Sequence, residues 1–233
     1  MFFPFYDATM IIVFPAIILA MYAQAKVQST FQRYLHVYAT SGLTGAEVAQ
    51  QLLRREGLDG VRVEMVAGHL SDHYDPRKQA VRLSQQVYNG RSLAALGVAA
   101  HETGHAMQHA TQYLPLNIRH SLVPIANIGS QLGLPLALLG FFFLRNEFLL
   151  QLGIILFAGA VLFQIVTLPV EFNASSRALA MLEQGAYLSR SEVNGAKQVL
   201  SAAALTYVAA TLVAIMHLVR LLLLSGMLGN RRR

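Results

Sequence analysis

His101 and His105 stand four residues apart with Glu102 beside the first, which makes the pattern H-E-x-x-H. On a helix, residues four apart share a face. The two imidazoles can therefore meet one zinc ion while Glu102 stands beside the metal-bound water as proton acceptor. The spacing predicts metal-assisted hydrolysis with Glu102 as general base. That chemistry requires a helix, and residues 92–110 carry the marks of one. Leu93, Leu96, Ala100, Gly104 and Met107 recur at three- and four-residue steps, Ser92 and Asn89 can cap the start, and no proline intervenes before Pro115.

A catalytic zinc takes three protein ligands and keeps one position for water. The chain has 0 Cys, so the third ligand must be a histidine or a carboxylate. The extended one-helix form of the motif is excluded, because Gln108 and Thr111 occupy the places of its glycine and third histidine. His109 lies about 12 Å of helical rise beyond His101, outside one ion's ligand shell, and reads as a polar residue at the exposed helix end. The acids on the correct side are Glu64, Asp72, Asp75, Glu171, Glu183 and Glu192. Glu171 is favoured, because a carboxylate at the boundary of a long apolar run needs a reason for being there. The plain alternative is an interfacial glutamate that favours a helix N-terminus. The cluster His69, Asp72, His73, Tyr74, Asp75 reads first as a turn, with His73 or Tyr74 as candidate transition-state stabilisers.

The elements that must position these groups belong to a membrane protein. At 55% hydrophobic, 13% charged and a mean hydropathy of +0.45, the chain has more apolar surface than one soluble core can hide. Four stretches free of Asp, Glu, Lys and Arg, 8–25, 121–144, 148–170 and 198–219, each approach the ~20 residues that cross hydrocarbon as a helix. The first reads as an anchor rather than a cleaved signal. Ten of the 18 Lys and Arg lie in 26–120, which predicts a cytoplasmic location for that region in an inner (plasma) membrane protein. The basic residues are scattered rather than striped with aromatics, so nucleic acid is not an expected partner.

Between the first two spans the pattern predicts a small α+β domain. Thr44 and Glu47 form a capping box ahead of a helix that Gly57 can end. Residues 61–66 and 80–84 read as strands around a turn-rich 72–78, with the motif helix next. An extended substrate could add along 80–84 if that strand is an edge. Spans two and three are joined only by Arg145, Asn146 and Glu147, so the chain after 170 returns to the side of His101, with Pro169 at the first turn of the emerging helix. Ser189 and Glu192 can cap the last long helix. Arg220, beside His217, reads as a residue that snorkels to the interface.

Three stretches, GHLSDHYDP (68–76), AALGVAAHETGHAMQ (94–108) and PVEFNASSRAL (169–179), together with the four-span layout, resemble the YugP-like bacterial membrane zinc metallopeptidases. That resemblance implies His101, His105 and Glu171 as zinc ligands and Glu102 as catalytic base. The arrangement is also similar to the HtpX-type and CAAX prenyl protease families. Those usually carry an aspartate four residues after the glutamate ligand, where this chain has Ser175.

The expected architecture is thus a mainly α membrane protein, with about four transmembrane helices and a small zincin-like domain carrying a β-hairpin and the H-E-x-x-H helix. Its parts are an anchor (1–25), a catalytic region (26–120), a membrane hairpin (121–170), a helix with the third ligand (171–197), and a fourth span with a basic tail (198–233). The expected function is endopeptidase action, with one zinc per chain, on polypeptides in or beside the bilayer. A structural zinc in a non-enzymatic membrane protein is the alternative, for which His69 or His73 would have to close the site. A di-iron carboxylate site would need a second E-x-x-H pair, and none is present.

Overall fold

The computed structural model describes residues 8–226. A 3-10 turn, Ala8–Ile12, leads into α1 (Phe14–Leu35), followed by α2 (Gly45–Arg55), β1 (Arg62–Val66), β2 (His73–Asp75), β3 (Ala80–Ser84), a single turn α3 (Gln85–Tyr88) and α4 (Leu93–Ala110). Then come α5 (Leu114–Ile128), α6 (Leu134–Leu138), α7 (Glu147–Gln184) and α8 (Arg190–Leu224). The wider π-helical turns Gly129–Gly133 and Leu139–Phe143 flank α6. Four helical stretches are long and apolar enough to cross a membrane: Thr9–Leu35, Leu114–Phe143, Glu147–Gln184 and Arg190–Leu224. The described residues divide into two compact units, one of 24–117 with 169–205, the other of 8–23, 118–168 and 206–226.

The first unit holds the sheet and the motif helix. Its core joins Val48, Leu52 and Leu53 of α2, Val81 and Leu83 of β3, Leu96 and Ala99 of α4, and Ala178 and Leu182 of α7. Local signals set the helix starts. Thr44 and Glu47 close a reciprocal capping box at α2, Ser92 Oγ accepts from the Ala95 N–H at α4, and Glu192 accepts from the Ser189 N–H ahead of α8. Gly57 follows α2 in the left-handed region (φ 71°), the usual helix stop.

Two sheet expectations change. The strand order is β1-β3-β2: β1 pairs with β3 in parallel, and the antiparallel hairpin joins β2 to β3. Residues 80–84 are therefore central and not an edge that a substrate could extend. The physical reason is burial on both faces. Ala80, Val81, Leu83 and Ser84 are all buried, which takes the backbone N–H and C=O groups of β3 out of water, so both of its edges need strand partners, and the short 73–75 segment supplies the second. Asp75 builds the hairpin turn by accepting from the Arg77 and Lys78 N–H groups, while Arg82 ties the three strands through Glu64 (3.2 Å) and Asp75 (3.0 Å).

The second unit is apolar outside as well as inside. Ile18, Phe148 and Ile155 are 65–70% exposed, as lipid-facing side chains would be. Inside, α6 and α7 approach closely: a Cβ on Gly153 would lie 2.4 Å from the Ala137 nitrogen, which only glycine avoids. Arg145 and Asn146 make the turn before α7, with Asn146 Oδ1 capping the Leu149 N–H. Arg220 differs from expectation. It is 3% exposed and its Nε donates to Thr9 Oγ1 at 3.3 Å, so the side chain lies within the protein rather than reaching outward. Pro169 also differs, lying inside the unbroken α7.

Candidate metal centre

Two helical stripes meet in antiparallel fashion to form the site. On α4 the stripe is His101, Gly104, His105 and Gln108, and on α7 it is Val170, Glu171, Ala174 and Ser175. Contacts run in opposite order along the two: His101 with Ser175, Gly104 with Ala174, His105 with Glu171, and Gln108 with Val170. Gly104 allows the approach, since a Cβ there would stand 2.7 Å from the Ala174 carbonyl oxygen.

Glu171 Oε2 lies 3.3 Å from His101 Nε2 and 3.7 Å from His105 Nε2, and the donor atoms of the three residues all fall within 4.8 Å of one another. Donors on a tetrahedral zinc, at bond lengths of ~2.0–2.1 Å, are separated by roughly 3.3 Å, so the set fits the ion. Side-chain exposure is low, at 13%, 12% and 3% for His101, His105 and Glu171. Two neutral nitrogens and a carboxylate are also the donor chemistry that a borderline-soft dication takes.

The outer nitrogen of each ring is held. Gln108 Nε2 donates to the Val170 carbonyl (2.8 Å) and to Asn173 Oδ1 (3.0 Å), which turns its Oε1 toward His105 Nδ1 at 3.0 Å. An amide oxygen can only accept, so His105 Nδ1 carries the hydrogen and Nε2 keeps its lone pair for the metal side. Arg177 Nε donates to the same Asn173 oxygen at 2.9 Å and steadies the chain of bonds. At His101, Nδ1 lies 3.2 Å from Ser175 Oγ.

Burial alone would lower the pKa of His105. The hydrogen bond and charge of Glu171, with Glu102 and Gln108, outweigh it and raise the pKa above the usual imidazole range. The pocket therefore attracts positive charge at the place a cation would take.

Glu102, 7% exposed, follows His101 on α4. The other predicted residues lie outside the three-residue cluster. His73 is exposed with Nδ1 2.8 Å from the Ser71 carbonyl, and the Tyr74 hydroxyl lies 2.9 Å from His109 Nδ1, one helical turn past His105. His69 packs edge-on to Phe31. Asp72 Oδ1 and Oδ2 accept from the Ser84 N–H and hydroxyl, so it serves the sheet. His109, expected as a polar residue at the exposed helix end, is half-buried and meets the Tyr74 hydroxyl.

The family model described as "Putative neutral zinc metallopeptidase" matches residues 9–226. The chain belongs to this YugP-like family. A relative, "Putative membrane protease YugP" of Bacillus subtilis (strain 168), is 50% identical over 206 residues, covering 88% of this chain and 91% of that protein. No solved structure matches the chain. As a member of a zinc metallopeptidase family with four apolar helices, the chain is a membrane protein whose His-His-Glu cluster can hold the metal the family name implies.

Gln108, Asn173 and Arg177 were not visible as site residues in the sequence. Gln108 stood out only as the residue displacing a glycine, yet its i+3 relation to His105 and i+7 relation to His101 place it on the ligand face. Asn173 has no comparable signal, because its part depends on how α7 meets α4.

Proposed function

We propose that this chain is a membrane-embedded, zinc-dependent endopeptidase that hydrolyses peptide bonds of membrane or membrane-adjacent polypeptides on the cytoplasmic side of the plasma membrane. The observation that carries the reading is the donor set: two imidazoles and one carboxylate within 4.8 Å of one another, with no fourth side chain joining the cluster among the described residues. Three protein ligands leave a position for reactants, whereas a structural zinc site would be closed by a fourth. His69 and His73, the residues that could have closed it, are engaged elsewhere.

His101, His105 and Glu171 would hold one zinc. When bound, zinc supplies Lewis acidity that polarises a carbonyl and makes water a stronger acid. Glu102 then accepts the proton from the attacking water and passes it to the leaving amine. Its place next to His101 on α4, 7% exposed, puts the carboxylate beside the ligand set. Burial pushes the Tyr74 hydroxyl pKa up, with the Asp75 charge adding to the shift, so it stays a proton donor. Tyr74 is the better of the two candidates for stabilising the transition state, being tethered to α4 through His109, while His73 is exposed. The outer edge of β2 pairs with no strand among the described residues and can accept an extended substrate.

The deciding experiment is Glu102→Gln in detergent-purified protein, with bound zinc and cleavage of an unfolded membrane-protein substrate measured together. Retained zinc with cleavage lowered about 100-fold or more is expected. Equal cleavage would remove Glu102 from this role. No cleavage by the zinc-loaded parent would favour a structural site.

A further inference from the structure

A second feature of the 24–117/169–205 unit lies on α1 and α8. Lys26, Thr30, Asn194, Lys197, Gln198, Ser201, Ala202 and Leu205 line an open groove of about 650 Å³. We infer that this groove binds the phosphate headgroup of an anionic phospholipid. Its chemistry is graded. Lys26 and Lys197 give two ammonium groups, Asn194, Gln198, Thr30 and Ser201 give hydrogen bonds, Ala202 and Leu205 give an apolar end, and no acid lines it. Neither lysine takes part in a salt bridge among the described residues, and both side chains are exposed.

Position in the sequence selects lipid over a soluble anion. Lys26 directly follows the apolar run 8–25, and Lys197 directly precedes the run 198–219. Both ammonium groups therefore sit at the depth where a crossing helix meets the headgroups, and their methylene stems can lie along apolar chains. The order of lining residues on α8 agrees: Asn194 and Lys197 come first, then Ser201, then Ala202 and Leu205 toward the apolar run. A phosphodiester would lie between the lysines with its acyl chains directed along Leu205. A free phosphate would use only the polar half. The inference rests on the membrane reading and not on catalysis.

The test is native mass spectrometry of the full chain in detergent after incubation with phosphatidylglycerol or phosphatidylcholine, with inorganic phosphate as competitor. One phosphatidylglycerol per chain should be retained, phosphatidylcholine should not, and millimolar phosphate should fail to displace it. The pair Lys26→Gln with Lys197→Gln should weaken retention by about tenfold or more. The pair Arg33→Gln with Arg190→Gln, which removes equal charge from the same two helices outside the groove, should leave it intact. Equal losses in both pairs would reduce the effect to general surface charge and overturn the site. So would equal retention of phosphatidylcholine, or displacement by phosphate. Neither pair touches the zinc donors, so zinc content and cleavage remain an independent readout.

Discussion

The outer nitrogens of His101 and His105 determine whether the inner ones can bind metal. Gln108, oriented by Val170 and Asn173, fixes the tautomer of His105, while His101 Nδ1 has only a longer contact to the Ser175 hydroxyl, which can donate or accept. Gln108→Leu should therefore cost about 10- to 100-fold in zinc affinity, measured by competition with a chelator, while the helices stay folded. Ser175→Ala should cost less. An equal or smaller loss for Gln108→Leu would show that the amide merely packs. The H-E-x-x-H spacing was legible in residue types, and Glu171 stood out as a carboxylate at the boundary of an apolar run; the fold brings the three side chains together. The residues that hold the rings were not legible, since an amide or hydroxyl becomes an orienting group only when another helix presents its partner.

At the level of elements, the helix-to-helix approach at Gly104 and Ala174 sets the donor distances. Gly104→Ala would place a methyl 2.7 Å from the Ala174 carbonyl oxygen and push α4 from α7, at a cost of about 1–3 kcal/mol. Lost zinc and a lowered Tm are the expected readouts. In the sheet, burial raises the pKa of Asp72, against hydrogen bonds from Ser84 that lower it. A carboxyl whose folded pKa lies above its unfolded one makes the ionised form a net cost, present at neutral pH and relieved as pH falls through the folded pKa. Asp72→Asn, which keeps an acceptor for the Ser84 N–H, should unfold at or above the parent's temperature at pH 7 and lose that advantage as the medium is acidified. Thermal melts at both pH values check the sign. Caps at Thr44 and Ser92 were legible because they are local. The central place of β3 was not, since AVRLS alternates too little to tell one covered face from two, and pairing order is a property of three segments together. Pro169 likewise suggested a helix start, but α7 carries it in its interior, so its local preference yielded to the surrounding helix.

For the whole molecule, the four apolar helices were evident from length and composition, the quantities the bilayer constrains most directly. Side chains such as Ile155, 68% exposed on α7, have no place in water, and Ile155→Lys should lower the yield of membrane-inserted protein by several fold. Orientation can be tested directly because the chain has 0 Cys. With Lys78→Cys and Asn146→Cys variants, an impermeant thiol reagent added outside intact cells should modify residue 146 and spare residue 78. The opposite pattern would reverse the proposed sidedness.

The three donors are divided in chain order: two imidazoles come before the helical pair that starts at Leu114, and the carboxylate comes only after most of that pair has been made. A growing polypeptide that has passed residue 110 but not residue 171 owns two thirds of a binding set and nothing to close it. Completion of the metal-binding set is thereby withheld during biosynthesis until the ribosome has delivered the greater part of the chain.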